Sequence, residues 1–237
     1  MLAALPATVW QRLEPCLERA PMTSGESLYE AGDRVRYVYF PTTAVVSVLY
    51  VMADGAPAEI AVVGNEGMIG IHVVMGSESV SNRAVVQSTG YAYRLATNLL
   101  KQEFNRCGGR RVGALQKLLL CYTQAFMTQM TQTAACNRHH SVDQQLCRWM
   151  LSCLDRLPSN RLDMTQELIA NLLGVRRESI AVVAGKLQSA GLINYSRGHI
   201  TVLDRPHLEE RACECYAVVK REYDRLLPSD RPAHASP

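Results

Sequence analysis

Between residues 22 and 96, apolar and polar positions follow one another in short runs separated by turn-forming residues. The runs 37–40, 45–51, 59–63, 82–86 and 91–95 are rich in β-branched and aromatic side chains. Ala31-Gly32-Asp33, Ala53-Asp54-Gly55, Gly64-Asn65-Glu66-Gly67, Met75-Gly76-Ser77 and Thr89-Gly90 punctuate them. Many short strands at regular spacing predict a small antiparallel barrel or roll. At Asn98 the pattern turns helical. Residues 109–137 contain no acidic residue and no proline. Within them Val112, Leu115, Leu119, Tyr122, Phe126, Gln129 and Thr133 recur in alternating steps of three and four, as on one seam of a coiled coil. A second stripe runs through Leu118, Cys121, Ala125 and Met130. A helix apolar on two faces needs two partners. The reading adopted is that one face packs on the β domain and the first stripe pairs with a second copy of the chain. A helix buried wholly inside one domain is the alternative.

Residues 165–187 read as two helices meeting at a steep angle. Gly174 stands at the turn, where a left-handed conformation costs glycine no Cβ strain. Ala170 lets the helices approach, and Ile169, Leu173, Val175, Ile180 and Val183 fill the angle between them. Asp163 or Thr165 can cap the first helix. Arg176, Arg177, Glu178 and Ser179 are then left on the exposed first turn of the second. Arginine can donate to guanine O6 and N7 together, and glutamate can accept from cytosine N4. Ser179 and the second arginine suit phosphates. Residues 191–203 follow as a hairpin with Arg197-Gly198 at its tip, within reach of a phosphate. Helix, turn, helix and hairpin together predict a winged helix-turn-helix.

Charge changes this picture little. The whole +3 net charge lies in residues 112–204, where nine basic side chains face six acidic ones. That is a weak footprint for phosphate binding. A length of 237 residues suits one or two domains. The apolar stretch 43–64 is broken by Asp54, Gly55, Pro57 and Glu59, and residues 1–10 lack a preceding basic segment, so neither a membrane span nor a leader is expected. The eight cysteines form no Cys-x-x-Cys pair, and Cys213 and Cys215 are expected to point different ways on one helix. Reduced thiols in a cytoplasm follow. Cys107, Cys121, Cys136, Cys147 and Cys153 are candidate redox-responsive thiols, against the plainer reading of small buried hydrophobes. His139-His140 are placed at the interdomain hinge. No Ser-His-Asp set, phosphate loop or metal-ligand spacing is visible, so no enzyme, metal or cofactor is expected.

The runs Met164-Thr165-Gln166-Glu167, 173–180 (Leu-Gly-Val-Arg-Arg-Glu-Ser-Ile) and Ala190-Gly191-Leu192-Ile193 resemble the Crp/Fnr superfamily, which includes the cyclic-AMP receptor protein. The resemblance spans nearly the whole chain and is most specific in the winged domain. It implies an α+β fold: an N-terminal β-roll of the cyclic-nucleotide-binding-like jelly-roll type (1–108), a long dimerisation helix (109–138), a C-terminal winged helix-turn-helix (139–227) and a flexible tail (228–237). It implies a cytoplasmic, bacterial, homodimeric transcription regulator. Its partners would be double-stranded DNA carrying an inverted repeat, its own copy and RNA polymerase.

The resemblance also implies site residues. Arg177 and Glu178 match the family's base readers; Val182 stands where a second reading arginine usually sits and can meet a thymine methyl instead. Thr165, Arg176, Ser179 and Arg197 are expected at phosphates, and Val112, Leu115, Leu119, Tyr122 and Phe126 at the dimer seam. Residues 66–73 look like the family's phosphate-binding turn, giving Gly67, Gly70, Ile71, His72, Asn82 and Arg83 as a candidate sensor pocket. Ile71 replaces the glutamate that holds a ribose, and Asn82 stands where the phosphate arginine is expected, with Arg83 one place off and so on the other strand face. Cyclic AMP is therefore not expected, an iron–sulfur centre lacks its N-terminal cysteines beyond Cys16, and haem at His72 is the weaker reading of a lone histidine. The sensor ligand stays open. A module whose helix-turn-helix no longer binds DNA is the competing reading, opposed by the intact 176–179 run.

Overall fold

A computed structural model describes residues 1–77, 79–106 and 112–227. The chain opens with α1 (Ala7–Leu13) and continues through β1 (Glu18–Met22), β2 (Ser27–Tyr29), β3 (Tyr37–Pro41), β4 (Val45–Val51), β5 (Pro57–Val63), β6 (Arg83–Ser88) and β7 (Gly90–Ala96). Two antiparallel sheets result, ordered β1-β7-β3 and β2-β6-β4-β5. Val38, Val46, Val48, Val63, Ala84, Val86 and Leu95 fill the space between them. Alternation places these side chains inward, and β branching suits the pleated, half-buried surface. Each expected strand overlaps an observed one. β1 and β2 lay outside the expectation: β1 is an edge strand carrying Pro21, which breaks a strand pattern but is tolerated where one side is unpaired. Gly90 is required by close approach, since a Cβ there would lie 2.5 Å from the Ala44 nitrogen.

After α2 (Thr97–Phe104) comes the long helix α3 (Ala114–His139). Its orientation corrects the expected seam. Leu115, Leu119, Tyr122 and Phe126 are buried in this chain's own roll core, and of the five seam residues only Val112 is exposed. The Tyr122 hydroxyl donates to the Met68 carbonyl at 2.9 Å, and the Gln129 amide donates to the Val62 carbonyl at 3.0 Å. Periodicity identifies an apolar face but not what covers it. The wide apolar surface of the roll covers this one.

The winged domain comprises α4 (Val142–Leu154), β8 (Arg161–Asp163), α5 (Gln166–Leu173), α6 (Arg177–Ser189), β9 (Ile193–Ser196), β10 (His199–Val202) and α7 (Arg205–Arg211), with the wing sheet ordered β8-β10-β9. The last helix, α8 (Glu214–Leu226), returns to α3: Tyr223 packs against Tyr122 and donates to the Gln129 side-chain oxygen at 2.8 Å. A second core joins the outer face of the roll to the winged domain. Val45, Leu49 and Val62 pack there with Leu146, Trp149, Met150 and Leu173. Polar ties reinforce this contact. Trp149 donates to Glu59 at 3.0 Å, and Arg156 pairs with Glu66 at 2.7 Å. The candidate redox residue Cys107, the expected 108/109 division and the tail 228–237 lie outside the described residues.

Candidate functional site

Thr165 caps α5, its hydroxyl oxygen accepting from the Leu168 N–H at 3.2 Å, which leaves the hydroxyl proton unused by the cap. Asp163, the other candidate cap, is held in β8 by Arg161 and His199 at 2.8 and 2.6 Å, and its carboxyl is lowered by the Arg161 bond first and the His199 bond second. Gly174 ends α5 in the left-handed conformation at φ 66°. Ile169, Ala170, Leu173, Ile180 and Val183 are buried in the angle between α5 and α6, while Val175 is half-buried.

Arg176 is the N-cap of α6, so the next residues form its first turn. Arg176, Arg177 and Glu178 are exposed, Ser179 is half-buried, and Val182 is 58% exposed despite being apolar. Arg177 lies 3.8 Å from Glu167 of α5, but both are well exposed, so this pair holds it only weakly. At the wing tip Arg197 and Gly198 both have positive φ, 51° and 82°, as a two-residue hairpin of the I′ kind demands. Arg197 is exposed there, and a Cβ on Gly198 would sit 3.6 Å from the Thr165 side chain, so wing tip and α5 start are neighbours.

The candidate sensor pocket looks different. A Cβ on Gly67 would lie 2.7 Å from the Tyr122 hydroxyl oxygen, and one on Gly64 would lie 2.7 Å from the Arg156 side chain. These glycines let α3 and α4 close on the turn. Gly70 is left-handed at φ 96°, with Val38 against it, and Ile71 is buried. His72 stacks edge-on against Tyr29; burial pulls its pKa down to about 4, with Lys101 adding to the fall. Among the described residues, its Nε2 and the Asn82 side-chain oxygen are buried with no hydrogen-bond partner. Arg83 lies 3.0 Å from Glu30. A cleft of about 310 Å³ opens elsewhere, between Asn65 and Glu66 of the roll, Asp155 and Arg156 after α4, and Tyr216 and Lys220 of α8.

Residues 144–211 match the family model described as the Crp-like helix-turn-helix domain. That stretch contains α5, α6 and the wing just described. This part of the chain is a Crp-like helix-turn-helix domain. No curated protein sequence matches the chain. Solved structures carry its fold at low identity. FixK2 from Bradyrhizobium japonicum is 15% identical, with a TM-score of 0.69, over 83% of this chain and 98% of its own. A CRP-family transcriptional regulator from Thermus thermophilus is 19% identical, with a TM-score of 0.66, over 82% and 96%. The c-di-GMP-responsive global regulator CLP of Xanthomonas campestris is 16% identical, with a TM-score of 0.65, over 83% and 99%.

Two features of the chain were missed in the sequence pattern. Lys186 is exposed on α6 in line with Glu178 and Val182, at steps of four, a helical spacing that was legible. Cys213 and Cys215 do not diverge. Cys213 is the extended N-cap of α8 rather than part of the helix, and both thiols gather with Cys136 and His140 within 4.8 Å. The Cys213 thiol is lowered by its hydrogen bond with Cys136. Burial pushes Cys147 up to about 12 and raises Cys153 further, which disfavours the reactive thiolate at both. Cys121 is half-buried.

Proposed function

We propose that the chain is a Crp/Fnr-type transcription regulator that binds an inverted repeat as a homodimer, with the first turns of α6 in successive major grooves. The observation that carries this reading is the exposed row Arg177, Glu178, Val182 on a helix whose other face is buried, beside a wing that presents Arg197. Arg177 and Glu178 read bases, and Val182 meets a thymine methyl. Thr165, Arg176, Ser179 and Arg197 hold phosphates. The half-sites then lie about one helical turn apart, roughly 34 Å.

The dimer seam of this proposal is the outward face of α3. Leu120 and Met127 are 54% and 55% exposed, and Ala134 follows after another seven residues. That heptad line runs opposite the face buried on the roll. We take the regulator to act in the cytoplasm with RNA polymerase. Its sensor does not use cyclic AMP in this reading, because Ile71 offers no acceptor and Gly67 is packed beneath Tyr122.

Salt-titrated binding on a selected site and its single-base variants tests the assignment. Arg177→Ala should cost about 1–3 kcal/mol and relax base choice at one position per half-site. Arg197→Ala should weaken all sites alike and reduce the salt slope by about one. Equal effects of both substitutions on every site would remove Arg177 as a base reader.

A further inference from the structure

We propose that Cys136, His140, Cys213 and Cys215 form a Cys₃His site for a single zinc ion. The site would clamp the end of α3 to the start of α8. The four ligand atoms lie within 4.8 Å of one another, although Cys136 and Cys213 are 77 residues apart in sequence. The Cys136 and Cys213 sulfurs are 3.5 Å apart, far beyond a disulfide bond. The Cys215 sulfur is 3.6 Å from His140 Nδ1. Zinc–sulfur bonds of about 2.3 Å and zinc–nitrogen bonds of about 2.0 Å in a tetrahedron place neighbouring ligands about 3.6–3.8 Å apart. The Cys136–Cys213 and Cys215–His140 spacings match one ion, the wider pairs within the 4.8 Å limit need only a small inward closure, and the donor set is of the soft kind that zinc prefers.

Local structure explains the convergence. Cys136 is in the last turn of α3, and His140 is its C-cap, four residues later on the same side. Cys213 is extended while Cys215 is helical, so the Cys-x-Cys pair straddles the start of α8 and both thiols face the same centre. The N-terminus of α8 favours thiolates there. The other nitrogen of His140, Nε2, faces Glu214 at 3.3 Å. A carboxylate behind an imidazole orients it as a ligand and sets which nitrogen meets the metal. The three sulfurs are buried, so no water competes from their side. Arg148, also buried and with no hydrogen-bond partner for its Nε among the described residues, exerts its positive charge on Cys136. It would offset the net single negative charge of three thiolates, a neutral histidine and a dication. On binding, the thiol protons pass to solvent, so affinity rises with pH.

The site sits where α3 hands over to α4 and where α8 turns back. Zinc would therefore fix the winged domain relative to the long helix. The test uses the full-length protein. Purified under reducing conditions, it should retain one zinc per chain after desalting. Cobalt loaded in its place should give the visible bands of tetrahedral Co(II) with thiolate charge transfer. Alkylation in mild urea, which opens these buried positions, read by mass spectrometry, should find Cys136, Cys213 and Cys215 protected with metal and labelled after chelation. Cys215→Ser should lose the cobalt spectrum, Cys147→Ser should keep it, and Glu214→Ala should weaken affinity by about 10- to 100-fold. If the wild-type chain gives no tetrahedral cobalt spectrum, or its thiol labelling is indifferent to metal, the site does not exist. These readouts are independent of DNA binding, so they stand or fall separately from the recognition proposal.

Discussion

Glu59 carries a buried carboxyl at the contact between the roll and the winged domain. Its two oxygens face the Trp149 indole N–H at 3.0 Å and the Ser47 hydroxyl at 2.6 Å. Ser47 also faces the Gln87 side-chain oxygen at 3.0 Å, while the Gln87 amide reaches the Cys153 sulfur at 3.1 Å. Ser47 has one proton for two acceptors. The chain closes if Glu59 is protonated: it donates to Ser47, Ser47 donates to Gln87, and Trp149 still donates to Glu59. Burial pushes the Glu59 pKa from 4.5 up to about 7, against the pull of Ser47, Arg148 and Trp149. Between pH 4.5 and about 7 the folded chain keeps a proton that the unfolded chain loses. Stability from this group is thus complete below pH 4.5 and lost as pH rises through 7, with an upper bound of about 3 kcal/mol at about 1.4 kcal/mol per pH unit. His72 works the other way: lowered to about 4, it costs stability as pH falls below 6.5. Comparing the wild type with Glu59→Gln separates the two. Glutamine can donate to Ser47 and accept from Trp149 without charge, so the variant should be more stable at pH 8 by up to about 3 kcal/mol and nearly equal at pH 5. Urea unfolding from pH 5 to 8 measures this. Wild-type and variant curves that run parallel across that range would refute the protonated network.

Gly67→Ala should destabilise the chain by about 1–3 kcal/mol in urea unfolding, because its methyl would lie 2.7 Å from the Tyr122 hydroxyl oxygen. Tyr122→Phe should not rescue it, because the Tyr122 ring carbon and a Val63 methyl would still lie 2.8 Å from the added methyl. The two faces of α3 should respond differently. Leu119→Ala, at a fully buried site, should cost about 2–5 kcal/mol in the same assay. Leu120→Lys with Met127→Lys should leave the fold intact and shift sedimentation to a monomer; a folded dimer would locate the seam elsewhere.

Local rules make much of this protein legible in its sequence. The I′ turn at Arg197-Gly198, the left-handed Gly174, the cap at Thr165 and the five expected strands each follow from residues within a few positions of one another. The exposed row on α6 follows from helical period and composition, and the same arithmetic would have included Lys186. Only tertiary structure decided which face of α3 is buried, since a stripe reads the same against a sheet or against a second helix. It alone closed Gly64 and Gly67 beneath Arg156 and Tyr122, because a glycine that permits close packing and one that cradles a phosphate look alike in sequence. Likewise it assembled Cys136 and His140 with Cys213 and Cys215, and set Glu59 against Trp149. Those partners are separated by scores of residues, and their meeting depends on how α4 and α8 dock, a sum of many weak contacts that no local pattern encodes.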